Sequence, residues 1–377
     1  MRQFLLVSVC GCLFSLSATA FETAAKYAYL MDADTGYVMY DKASDVAMAP
    51  ASMSKLMTAY MIFDALKNEK ITLDTEFTVS ENAWRKGGAK SGSSTMFLNP
   101  NQRVKVRDLL RGIIVQSGND ACIVAAEGLA GSEEVFAALM TQKAKELGLK
   151  NSTFANATGL PHPEHLMSSK DLAVLAQAII RDFPEHYSIY AEKEFTYNKI
   201  KQGNRNPLLY TMDGADGLKT GHTEASGYGL TGSVKAKDGR RLIMVVNGLK
   251  SMKARSTESQ KLMNYGLAGF ENVTVFDKNT IVDTIPVWYG ESETIEALPA
   301  EPATMTIERG KSGSVVSKVI YDSPIAAPIV QGQKIGQLVI TTGDNQTKVL
   351  DLVAAKAVEK VGYFGKMKKM ISSWLGV

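Results

Sequence analysis

Ser52-Met53-Ser54-Lys55, Ser117-Gly118-Asn119 and Lys219-Thr220-Gly221 occur in that order along the chain. Their residue types suit one kind of chemistry, acyl transfer through a serine whose proton is taken by a lysine. A serine hydroxyl is a poor nucleophile at neutral pH, but a lysine amine whose pKa is lowered by burial or by a neighbouring cation can deprotonate it. Lys55 stands three residues after Ser52, so on a helix the two side chains share a face. Ser52 is the expected nucleophile and Lys55 the expected general base. Alone, a Ser-x-x-Lys string is common on surface helices, where the serine caps and the lysine is solvated. Three such strings in order, each in suitable surroundings, argue for a site.

The second string interrupts an apolar run. Gln116-Ser117-Gly118-Asn119-Asp120 follows Leu109 to Val115, and apolar character resumes from Ala121 to Ala126. Two readings stay open: a buried polar loop that satisfies its own backbone, or a functional pair in which Ser117 relays protons to a leaving amine and Asn119 orients Lys55 and a substrate amide. In the third string Lys219 supplies positive charge and Thr220 a hydroxyl. Gly221 supplies a missing side chain, expected to let a substrate backbone approach. Acyl transfer also needs donors for the developing oxyanion, and the backbone N–H groups of Ser52 and His222 are the natural ones. A Ser–His triad through His222 is rejected, because Lys55 already fills the base role and no aspartate is evidently committed to the histidine. Cys122 reads as an apolar packing residue rather than a second nucleophile. His162, His165 and His222 lack metal-ligand spacing and an acidic third ligand, so neither a metal ion nor another cofactor is expected.

The elements that must hold these residues follow from patterning. Pro50-Ala51 ahead of Ser52, with Met53, Leu56, Met57 and Tyr60 after it, puts Ser52 in the first turn of a buried helix, where unpaired N–H groups favour developing negative charge. Helices are predicted over Ser52–Lys67, Val106–Leu129, Ser132–Leu147, Ser169–Arg181 and Arg255–Phe270. Tyr27–Leu30 and Tyr37–Asp41 flank Asp32-Ala33-Asp34-Thr35-Gly36 as a hairpin, and Tyr228–Lys235 pairs with Arg241–Gly248 across Lys237-Asp238-Gly239. The third string precedes that hairpin and is expected on a strand facing Ser52. This reads as an antiparallel sheet beside a helical cluster, an α+β arrangement. After Phe270 short strands run from Val273 to Leu350, broken by glycines and prolines, as in a small β-sandwich. The expected organisation is 1–20, 21–270, 271–352 and 353–377.

The first and last of these segments concern address rather than catalysis. Met1-Arg2, an apolar run from Phe4 to Leu16 and Ala18-Thr19-Ala20 read as a secretory signal peptide cleaved after Ala20. A lipoprotein signal at Val9-Cys10-Gly11-Cys12 is the alternative. Of 3 cysteines only Cys122 lies outside that leader, so no intrachain disulfide framework is available. Loss of Arg2 leaves 41 basic against 39 acidic side chains over 357 residues, a balance that gives no argument for nucleic acid. At the other end Tyr363, Phe364, Met367, Met370, Ile371, Trp374 and Leu375 fall on one helical face, with Lys366, Lys368 and Lys369 at its margins. The run is too short to span a bilayer and suits a helix lying in the interface.

With Gly92-Ser93-Ser94-Thr95-Met96-Phe97-Leu98, Gln116-Ser117-Gly118-Asn119-Asp120-Ala121-Cys122 and Gly217-Leu218-Lys219-Thr220-Gly221-His222-Thr223, the sequence resembles the D-alanyl-D-alanine carboxypeptidases from Ala24 to Lys360. These are the low-molecular-mass penicillin-binding proteins of the bacterial cell wall. The resemblance implies the penicillin-binding, serine β-lactamase-like transpeptidase fold, a following all-β sandwich and an amphipathic C-terminal helix. It implies removal of the terminal D-alanine from peptidoglycan pentapeptides through an acyl-enzyme on Ser52, with penicillins and other β-lactam antibiotics acylating the same serine. It implies a place on the periplasmic face of the inner membrane, with the tail on the membrane surface. Residue by residue, Gly92 in the first string, Arg205 in Asn204-Arg205-Asn206, and Arg255 after Lys253-Ala254 match positions near the family's site. Arg255 is a candidate for the substrate carboxylate, or else a surface residue at a helix start.

Three competing readings remain. A DD-endopeptidase would cut cross-links through the same acyl-enzyme. A class A β-lactamase needs a glutamate followed by leucine and asparagine, and Pro163-Glu164-His165-Leu166-Met167 has no asparagine in step; Asp171 reads instead as a helix N-terminal charge. A non-catalytic wall-binding protein would not need every catalytic group, and all are present.

Overall fold

The computed structural model describes residues 21–310, 315–343 and 346–362. Its centre is an antiparallel sheet of β1 (Tyr27–Asp32), β2 (Val38–Lys42), β3 (Ala215–Thr223), β4 (Gly227–Lys235) and β5 (Arg241–Leu249), in the order β2-β1-β5-β4-β3. The first hairpin closes because Asp32 Oδ1 accepts the N–H groups of Asp34 and Thr35 at 3.0 and 2.8 Å, and Gly36 takes a φ of 75°. Side chains alternate across a strand, so β1 and β5 present two apolar faces. Tyr29, Met31, Ile243 and Val245 meet a helical cluster, while Ala28, Leu30, Met244 and Val246 lie in a separate core with Leu262 and Met263.

The cluster on the first face contains α1 (Lys55–Lys67), α2 (Val106–Ile114), α3 (Asn119–Ala130) and α4 (Ser169–Asp182). Leu56, Met57, Ile62 and Phe63 are at most 1% exposed along α1. Burial at that level contributes roughly 1.5–3 kcal/mol per side chain, which anchors the segment ahead of α1 rigidly. The second face is covered by α5 (Met252–Gly269).

The single helix expected over Val106–Leu129 is two. Ser117 takes a φ of 62°, a left-handed conformation that a helix cannot continue through. Gly118 is extended, and its N–H turns back to Gly112 O at 2.8 Å. Both flanks are buried and apolar, so the polar interruption between them reads as a stretch within one helix rather than as its end. The break sets Ser117 and Asn119 at the mouth of α3. Helix α5 starts three residues earlier than expected, where Ser251 Oγ accepts the Ala254 N–H at 3.0 Å.

Beyond Gly269 the regular elements among the described residues are all β-strands. Phe270–Phe276 pairs with Ala303–Glu308, and a six-stranded sheet packs against that pair over Ile285, Ile295, Met305, Leu338 and Leu352. Neighbouring strands are antiparallel, except that Asp283–Trp288 runs parallel to Ile325–Ala326. Asn272 Nδ2 donates to Asp32 Oδ2 at 3.1 Å, tying this domain to the first hairpin. Among the described residues no helix is long and apolar enough to cross a membrane. The expected leader and the amphipathic run from Tyr363 lie outside the described residues.

Candidate active site

Ser52 sits in a 3-10 turn, Ala51–Ser54, that runs straight into α1. Two glycines let neighbouring chain close on this turn. A Cβ at Gly221 on β3 would lie 2.8 Å from Pro50 O and 3.2 Å from Met53 N, and one at Gly159 would strike the Ala51 carbonyl. The close approach of β3 to the serine segment therefore requires a glycine at 221, a structural role beside the expected one of letting a substrate backbone approach. Gly159 also has a φ of 79°, which other residues adopt only with strain.

Lys55 is 1% exposed, and its Nζ lies 2.9 Å from Ser52 Oγ, 2.7 Å from Asn119 Oδ1 and 2.5 Å from Thr158 O. Burial lowers its pKa to about 8 from the usual 10.5, against which the fields of Asp120 and Glu133 act. At pH 7 that raises the neutral fraction from about 0.03% to about a tenth, a gain of roughly 300-fold in available base. Asn119 Nδ2 donates to Ser93 Oγ at 2.9 Å, which fixes the amide with its oxygen toward Lys55.

A second serine–lysine pair stands beside the first. Lys219 Nζ donates to Ser117 Oγ at 3.0 Å and to Thr220 O at 3.1 Å. Burial, then the charges of Lys55 and Arg205, hold Lys219 well below the ordinary lysine range. Two buried amines this close disfavour each other's protonation. Cys122 is fully buried with its thiol pushed up to about 12 by desolvation, as suits a packing residue.

The substrate-facing groups surround these pairs. Strand β3 lies at the edge of its sheet, so an extended peptide can add alongside it. Thr220 is buried, and the exposed His222 ring stacks on Tyr228 with centroids 3.8 Å apart. Arg205 Nη1 donates to Ser94 Oγ at 2.6 Å. Arg255 is 6% exposed, with its guanidinium 5.8 Å from the Tyr228 ring centroid and Nη2 3.4 Å from Arg205 O. Its burial removes the surface alternative, its charge acts on Lys219, and the early start of α5 places it inside the helix rather than at its start. Gly92 forms an exposed turn with a φ of 69°, two residues before Ser94. Glu164 is exposed, while Asp171 in the first turn of α4 accepts from Asn151 N and Ser152 Oγ, both at 2.7 Å.

Two further residues contribute to which the sequence assigns no role of their own. Asp120 is fully buried and accepts from Thr95 Oγ1, Met96 N, Leu98 N and Ala121 N at 2.7, 2.8, 3.0 and 2.9 Å. These donors offset the cost of burying a carboxylate and hold the loop that carries Ser93 and Ser94. Thr158 contributes a backbone carbonyl, which no residue type announces; the Asn-x-Thr-Gly string around it was the available turn signal.

A family model described as D-alanyl-D-alanine carboxypeptidase matches residues 15–251, and a second, described as penicillin-binding protein 5, C-terminal domain, matches residues 270–360. The chain is 40% identical over 341 residues to D-alanyl-D-alanine carboxypeptidase DacC of Escherichia coli K12, covering 90% of this chain and 85% of the relative. It is 36% identical over 357 residues to DacF of Bacillus subtilis 168, covering 93% and 90%. The crystal structure of penicillin binding protein 5 from Haemophilus influenzae superposes with a TM-score of 0.83 at 37% identity, covering 91% of this chain and 99% of that one.

Proposed function

The chain belongs to the D-alanyl-D-alanine carboxypeptidase family of serine peptidases, and on that basis we propose how its residues divide the reaction. The activity is hydrolysis at D-alanyl-D-alanine in peptidoglycan peptides, at a site that β-lactams also occupy. Neutral Lys55 takes the Ser52 proton as Oγ attacks the carbonyl carbon of the penultimate D-alanine. The tetrahedral oxyanion receives the N–H groups of Ser52 and His222. Ser117, coupled to Lys219, passes a proton to the departing amine as the C–N bond breaks. Water then opens the ester and Ser52 recovers its proton. Arg255 and Arg205, with Thr220 and Lys219, offer cationic and hydroxyl partners to the free carboxylate of the leaving D-alanine. The observation that carries this reading is the 2.9 Å contact between Ser52 Oγ and a buried lysine whose charge is already disfavoured.

Cationic partners for a free carboxylate suit exopeptidase use, and paired substrates test this against endopeptidase use. Incubated with a pentapeptide ending in D-Ala-D-Ala and with a cross-linked dimer, the protein is expected to release free D-alanine from the pentapeptide at a rate well above dimer cleavage. Preferential cleavage of the dimer would replace this reading with the endopeptidase one.

We further propose that residues 1–20 are removed on export and that the C-terminal tail holds the enzyme on the outer face of the inner membrane. The support is the sequence pattern: a wide apolar face from Tyr363 to Leu375, with lysines whose stems can snorkel to phosphates. Deleting Gly362–Val377 is expected to move the protein from the membrane to the soluble fraction with penicillin labelling intact. Retention of the shortened protein on membranes would put the anchor elsewhere, in an uncleaved leader first of all.

A further inference from the structure

We propose that Asn156 is a positioning residue for the reaction: its side chain folds the 156–159 turn so that the Thr158 carbonyl takes one hydrogen of the neutral Lys55 amine and turns the lone pair toward Ser52. The proposal rests on Lys55 as the base. A neutral amine has two hydrogens and one lone pair, and Lys55 has three polar neighbours. Thr158 O and Asn119 Oδ1 can only accept, whereas Ser52 Oγ can also donate. With both hydrogens committed to the two acceptors, the lone pair is left facing the serine hydroxyl.

The Thr158 carbonyl is aimed by Asn156. Its Oδ1 accepts from Thr158 N at 3.1 Å, Thr158 Oγ1 at 2.9 Å and Gly159 N at 2.8 Å, while Nδ2 donates to Leu160 O at 3.1 Å. Ala157 is held independently. Its N–H donates to Glu133 Oε1 at 3.1 Å, and Thr58 Oγ1, one turn along α1 from Lys55, donates to its carbonyl at 2.7 Å. The turn thus stays docked on α1 whatever stands at 156, and Asn156 sets the direction of the next carbonyl. The other titratable or charged groups around Lys55 are Cys122 and Asp120 from α3, Glu133, Lys219 from β3, and Arg205 and His165 from loops. All are unchanged by a substitution at 156.

The test is the rate of acylation by a fluorescent penicillin as a function of pH, measured on the full chain and normalised to the fraction that labels. The wild-type rate is expected to climb through about pH 8 as Lys55 loses its proton. In Asn156→Ala the high-pH plateau falls about 10- to 100-fold, the cost of a misplaced reacting group. Its rising limb moves to lower pH, because a lost carbonyl acceptor no longer favours the ammonium. Asn156→Asp keeps the acceptor oxygen and the plateau, while its negative charge moves the limb to higher pH. A purely structural role would lower the labelled fraction and leave the normalised profile alone. A wild-type profile in Asn156→Ala, or a plateau as low in Asn156→Asp as in Asn156→Ala, overturns the proposal. Should Asn156→Ala fail to fold, the upward limb and intact plateau of Asn156→Asp remain the deciding pair. A wild-type rate that is flat across this range removes the neutral-lysine reading itself, and the positioning role with it.

Discussion

Lys55→Arg fails to acylate with penicillin and fails to release D-alanine at any usable pH, although it keeps a positive charge at the same position. Arginine stays protonated throughout the range where the protein is folded, so it can hold the surrounding acceptors but cannot take the Ser52 proton. General-base removal alone costs about 10² to 10⁴ in rate. The loss here is placed at the upper end, because the almost completely enclosed lysine is the base in direct hydrogen-bond contact with Ser52 Oγ. A guanidinium is also bulkier than an ammonium, so Lys55→Ala, which adds no bulk, is the companion variant. Both are measured by acylation rate with circular dichroism as the check on folding. Near-normal acylation by either would mean that Lys55 acts through charge or packing and that another base serves Ser52.

Ser52→Ala abolishes covalent labelling entirely while the protein stays folded. The serine is only half-buried, and the hydrogen bond to its hydroxyl comes from Lys55, which keeps its carbonyl and amide acceptors when the hydroxyl is gone. Removing a nucleophile from such a site leaves reversible binding in place. Penicillin should therefore still protect the variant against heat without forming an adduct. Labelling at the wild-type level would transfer the nucleophile role to another residue, Ser117 being the nearest hydroxyl paired with a lysine.

What was legible in the chain was what residue type and spacing encode. Ser52 and Lys55 three apart at the start of a buried helix, the Asp-Ala-Asp-Thr-Gly hairpin and the third string on a strand beside the serine all have local signatures. The strands of the two expected hairpins formed within two residues of expectation, while the short strands Glu76–Thr78, Arg103–Lys105, Glu194–Tyr197 and Ile200–Gly203 were not expected. The break at Ser117 was marked only by the polar interruption Gln116–Asp120, which does not distinguish a polar stretch within one helix from the left-handed turn that separates two. Arg255 was ambiguous because the start of α5 depends on Ser251, whose capping is one of several local options. The structural need for Gly221 was not legible, since its crowding by Pro50 and Met53 joins segments some 170 residues apart in sequence. Thr158 acts through its main chain, and Asp120 through donors from a loop more than twenty residues upstream.

The most direct measurement is a rapid quench of the wild-type enzyme during turnover of a pentapeptide ending in D-Ala-D-Ala, followed by proteolysis and mass mapping of the trapped intermediate. The expected result is an ester adduct of the substrate lacking its terminal D-alanine, confined to the peptide that contains Ser52 and absent from Ser52→Ala. An adduct on the peptides that carry Ser117 or Cys122, or turnover by Ser52→Ala at the wild-type rate, would contradict it.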